Sequence, residues 1–135
     1  MTNQVEKRRC HRFKVPDGKA SYKRGSLLGA LMGFSRPYPL ANLSKGGLAL
    51  LCDRKFRRGK KVMIRLFVPG ETPMELTATV RWCKRQRIGG KGIVGFSFEI
   101  FGSREGDNPI EALDTLRRLD GKYGAGEREG RSEGA

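Results

Sequence analysis

Leu76, Ala78, Val80 and Trp82 alternate with Thr77, Thr79 and Arg81, so LTATVRW predicts a strand with one buried face. Val94, Phe96, Phe98 and Ile100 alternate with Gly95, Ser97 and Glu99 in the same way and predict a second. The runs GLALLC and KVMIRLFV are more uniformly apolar but rich in strand formers, and the RKFRRGKK between them reads as a charged turn. Nearer the start, RFKVPDGKASYK predicts an extended segment broken by the turn residues Pro16, Asp17 and Gly18. Between these, Leu27, Leu28, Leu31, Met32 and Phe34 are apolar, yet Gly25, Gly29 and Gly33 weaken any helix. That stretch is an irregular insertion, either a plug for an open barrel end or an exposed patch for a partner protein. Short strands separated by turns, with little helix between them, imply an antiparallel barrel or sandwich.

A single helix is predicted after the strands. Asn108 is its N-cap, Pro109 its first residue and Glu111 its capping-box residue, with Ile110, Leu113, Leu116 and Leu119 as an apolar stripe and Gly121 as the stop. The chain therefore divides into a flexible basic arm over residues 1–12, an all-β domain with a C-terminal helix over 13–123, and a tail over 124–135 whose composition predicts disorder.

Charge narrows the choice of ligand. Lys and Arg number 28 against 14 Asp and Glu, and the isoelectric point near 10.4 points to a phosphate-bearing ligand, nucleic acid or an anionic membrane surface. Cys10, Cys52 and Cys83 form no CxxC pair, so neither a disulfide framework nor a zinc site is suggested; Cys52 and Cys83 read as small buried apolar groups, and a cytoplasmic location fits. No apolar run is long enough to span a bilayer, so no membrane insertion is expected. Acid-base or nucleophilic catalysis needs a base beside a nucleophile, but the sole histidine, His11, stands within an arginine cluster, so no enzyme and no cofactor are expected.

Two motifs remain: the arm RRCHR, with Arg8, Arg9 and Arg12, and NLSKGG, with Asn42, Ser44, Gly46 and Gly47. Together they resemble the PilZ domain, a bacterial receptor module for cyclic di-GMP, whose pattern is RxxxR or RRxxR followed by [DN]xSxxG. The resemblance spans roughly residues 6 to 120. It implies a six-stranded antiparallel β-barrel with a helix near the C-terminus, and a cyclic di-GMP site built from those residues.

The chemistry of the residues is compatible with that ligand. Each guanine presents O6 and N7 as adjacent acceptors that a guanidinium fork matches with two bonds, and arginine also stacks on purine faces. Asn42 and Ser44 could hydrogen-bond a base edge, and Gly46 and Gly47 could let backbone approach the ligand or adopt positive φ. Trp82 offers an aromatic wall, although its phase with Leu76 and Val80 places it in the core. The arm would order over the ligand and present a new surface to a downstream effector protein. The alternative is a small basic barrel that binds RNA or single-stranded DNA by stacking and phosphate contacts. A third is a PilZ-like adaptor without ligand, working through the apolar insertion.

Overall fold

The computed structural model describes residues 11–25, 31–85 and 92–124. Six antiparallel strands close into one barrel: β1 (Lys19–Arg24), β2 (Tyr38–Leu43), β3 (Gly47–Leu51), β4 (Lys61–Phe67), β5 (Met74–Arg85) and β6 (Gly92–Phe98), in the order β1-β2-β3-β6-β5-β4. Because every neighbouring pair is antiparallel, the β1–β2, β3–β4 and β5–β6 connections emerge at one end of the barrel. The β2–β3 and β4–β5 turns emerge at the other.

The predicted alternation accounts for the lining. Leu76, Ala78 and Val80 of β5 meet Val94 and Phe96 of β6 and Val62, Ile64 and Leu66 of β4 inside the barrel, all buried. Each such Leu, Ile or Val removed from water stabilises the fold by roughly 1.5–3 kcal/mol.

Pattern reading does not predict β2, and the geometry explains why. Its register against β3 slips between Leu40 and Asn42, leaving Ala41 as an extra residue, and Pro39 sits within the strand. The β6 strand stops at Phe98 instead of continuing, so Ile100 is 75% exposed and not on the buried face expected for it.

The helix α1 (Ile110–Leu119) also differs from expectation at both ends. Pro109 is its N-cap, and no side chain caps it, so neither Asn108 nor Glu111 has the capping role. Asn108 is buried and its amide clamps β5 instead: Thr77 N–H donates to Oδ1 at 2.7 Å, and Nδ2 donates to the carbonyls of Thr77 and Glu99 at 3.0 Å each. With helical spacing of 100° per residue, Ile110 lies on the side opposite Ala112, Leu116 and Leu119, which make the buried stripe. Gly121 does not stop the helix, which widens into a π turn over Asp120–Gly124. There Tyr123 stacks on Phe13 with ring centroids 6.4 Å apart, which ties the base of the N-terminal segment to the end of the helix.

A bidentate pair holds α1 to the β4–β5 turn. Arg118 donates to both carboxylate oxygens of Glu71 at 2.8 and 2.6 Å, and these hydrogen bonds hold the Glu71 carboxyl below its ordinary pKa. A pKa depressed by folding contributes stability that is present above the unfolded value and is lost as pH falls through the folded one. Thermal melts are therefore expected to lose stability in the acid range below the ordinary glutamate pKa. Glu71→Gln should flatten that part of the profile.

Candidate binding groove

The base of the arm is pinned by a β-bridge as well as by the Tyr123 stack. Phe13 and Leu43 exchange both backbone hydrogen bonds at 2.8 Å, and both side chains are buried in the core. Alternation about that bridge turns Arg12 and Asn42 to the outer face. Next to them the chain turns through Ser44–Gly47, where Ser44 N–H donates to the Gly47 carbonyl at 2.8 Å.

The Ser44 hydroxyl serves this turn. It accepts from the N–H groups of Gly46 and Gly47 at 3.1 Å each and donates to the Gly47 carbonyl at 3.3 Å. One donor and two acceptor positions are all a hydroxyl has, so in this structure the Ser44 hydroxyl is taken up by the turn it positions. Neither Gly46 nor Gly47 has positive φ, so of the two roles expected for them that one is not used. Gly47 is required for another reason: a Cβ there would stand 2.0 Å from the carbonyl oxygen of Phe96, because β3 and β6 approach closely at that point.

Across the barrel's outer face, strand registers align Asn42 with Ala49, Ala49 with Gly95, and Gly95 with Trp82. Trp82 reaches this row through a β-bulge. The β5–β6 register slips between Val80 and Trp82, so Arg81 is an extra residue and the side chains after it change faces. Trp82 is half-buried on the outside, which corrects its expected place in the core. Its indole lies on Gly95, where an added Cβ would meet Cε2 at 2.2 Å, and the Lys84 ammonium stands 5.4 Å from the ring centroid. Cys52 is buried as expected, but Cys83, at the barrel end, is exposed.

Arg12, Asn42, Ser44, Gly46, Gly47 and Trp82 thus line one groove of about 140 Å³. Sequence reasoning singled out all six. It did not find Arg81, whose Nε donates to Ser97 Oγ at 2.7 Å, nor Ser97 and Gly95, which line the same groove. Among the described residues no acidic one lines it, and two guanidinium groups do, so its electrostatics favour an anion. Arg8 and Arg9 lie outside the described residues.

Comparisons with known proteins bear on this geometry. The motility inhibitor MotI/DgrA of Bacillus subtilis superposes with a TM-score of 0.60 at 16% identity, over 82% of this chain and 51% of that one. YcgR from Escherichia coli, solved in complex with c-di-GMP, also gives 0.60 at 16% identity, over 93% of this chain and 48% of that one. The chain spans about half the length of each. A search of curated proteins finds no match. The family model described as PilZ domain matches residues 6–113, and on that match, together with the closed six-stranded barrel, this chain belongs to the PilZ domain family.

Proposed function

We propose that the chain is a non-enzymatic receptor for cyclic di-GMP, acting in the cytoplasm and passing the signal to an effector protein. The observation that carries this reading is the convergence of Arg12, Asn42 and Trp82 beside the Ser44–Gly47 turn in one groove that no acidic residue lines among those described. Membership of the PilZ family and the likeness to YcgR, which was solved with c-di-GMP, add support.

Arg12 and Arg81 would take the phosphates or a guanine O6/N7 edge, Asn42 would take a base edge, and Trp82 would stack or wall the purine. Ala49 would form a floor small enough for the ligand to lie close to the sheet, beside the Trp82 indole that covers Gly95. A groove of about 140 Å³ is shallow for a dinucleotide, since sites for drug-sized ligands occupy roughly 300–1,000 Å³. The remaining wall would come from Arg8 and Arg9, so that the arm folds over the ligand and binding becomes a change of shape that an effector can read.

The test is a calorimetric competition at two salt concentrations. Cyclic di-GMP should bind in preference to GMP, GTP and cyclic di-AMP, with modest salt dependence. Equal affinity for all of these, or displacement by any RNA with a steep salt slope, would assign the chain to the nucleic-acid reading.

A further inference from the structure

The opposite end of the barrel is charged far beyond anything the groove needs. The described residues of the β1–β2 and β3–β4 connections and the adjoining strand ends, over 23–25, 31–37, 52–61 and 84–85, carry eleven Lys and Arg but one acid, Asp53. That acid is engaged, since its Oδ1 accepts the Gly92 N–H.

Among these cations lies the larger cavity, about 710 Å³, lined by Arg24, Lys55, Arg57, Lys60 and Lys61 together with Phe56 and Val62. Arg24 is held in place there: it donates to the Lys55 carbonyl at 3.0 Å, and its guanidinium stands 4.7 Å from the Phe56 ring centroid. The same end carries two of the most exposed large apolar residues described, Leu31 at 80% and Met32 at 77%. The expected plug is not formed by these two.

We infer that this end of the barrel docks on an anionic lipid surface, with headgroup phosphate in the cavity among Arg24, Lys55, Arg57 and Lys60, and with Leu31 and Met32 entering the bilayer interface. Cations ringing exposed aliphatic side chains match a surface that is anionic at its headgroups and apolar beneath. Nucleic acid is served less well. Its unpaired bases call for free aromatic faces, whereas Phe56 is engaged by Tyr22 at 4.8 Å, Phe96 at 5.5 Å and Arg24. Among the described residues no helix is long and apolar enough to cross a membrane, so the contact is peripheral. The inference does not rest on the cyclic di-GMP reading, because the strand connections that form this end lie opposite the Ser44–Gly47 turn.

The full chain is sedimented with phosphatidylcholine vesicles, with and without phosphatidylglycerol, at low and high salt. It should co-sediment with the anionic vesicles only, and less at high salt. Lys55→Ala/Lys60→Ala, which alters two exposed side chains, should weaken binding by on the order of thirtyfold, at about fivefold per cation. Leu31→Ser/Met32→Ser should weaken it by about tenfold or more, and Arg12→Ala should leave it unchanged. Equal or absent sedimentation with the two vesicle types would overturn the inference. So would full binding by Leu31→Ser/Met32→Ser combined with displacement by an RNA oligomer, which would assign this end to nucleic acid.

Discussion

Gly47→Ala is expected to lower the thermal midpoint by about 10 °C or more. The added methyl carbon would stand 2.0 Å from the Phe96 carbonyl oxygen and 3.0 Å from Ser97 Cα. Both neighbours are backbone atoms of β6, paired to β3 from Gly47 to Leu51, so neither can swing aside as a side chain end could. Relief requires the two strands to part where the turn begins, which also loosens the hydrogen bond from Phe98 N–H to the Gly46 carbonyl. Overpacking of this kind costs roughly 3 kcal/mol when the surroundings cannot yield, and in a domain of this size that corresponds to the stated fall in midpoint. Gly121→Ala is the matched control. Nothing lies within 4 Å of its added Cβ, and it sits in a helical turn, so its midpoint should stay level or rise. Melting curves of the two variants followed by circular dichroism check the pair; a Gly47→Ala midpoint within about 2 °C of the parent would contradict the close strand approach.

Arg12→Ala is expected to leave the fold intact and to weaken cyclic di-GMP binding by on the order of a hundredfold. Arg12 is exposed, whereas its neighbour Phe13 carries the bridge to Leu43 and the buried ring, so stability is insensitive to the guanidinium. Binding is not, because a fork with two charge-assisted bonds to phosphate or to a guanine edge is worth a few kcal/mol. Arg12→Lys separates charge from geometry. A point charge retains attraction to phosphate but loses the planar fork and its stacking, so its affinity should fall between parent and alanine. Calorimetry on the three proteins measures this directly, and equal affinities would remove Arg12 from the site.

What could be read in the sequence was decided by how each residue carries its signal. The alternation in LTATVRW and GIVGFSF states which face is buried, and β5 and β6 follow it until a residue is inserted. The bulge at Arg81 is silent in the sequence, because counting by two cannot register one extra residue; that single slip moved Trp82 from its expected core position to the outer face. The slip at Ala41, together with Pro39, hid β2 for the same reason.

Asn42, Ser44, Gly46 and Gly47 were legible as a unit because a turn concentrates its special residues in a few consecutive positions. The hydrogen bonds of the Ser44 hydroxyl are local, to groups two and three residues on, as in an ordinary serine turn, whereas the approach of β6 to Gly47 is a tertiary fact that the sequence does not carry. Arg81 and Ser97 look like ordinary solvated strand residues. Only closure of the barrel brings them beside Asn42 and Arg12. Asn108 carried a true signal at the wrong address: an asparagine before Pro109 fits a cap, but a buried amide facing the backbone of Thr77 and Glu99 makes three hydrogen bonds there.

Trp82 is the chain's single tryptophan and stands in the groove itself, so its fluorescence reports on that place and no other. Titration with cyclic di-GMP is predicted to change its emission saturably, with no comparable change for GMP or GTP and a curve displaced to much higher ligand concentration in Arg12→Ala. Emission that stays constant while calorimetry records binding would put the ligand elsewhere on the molecule and contradict the proposed site.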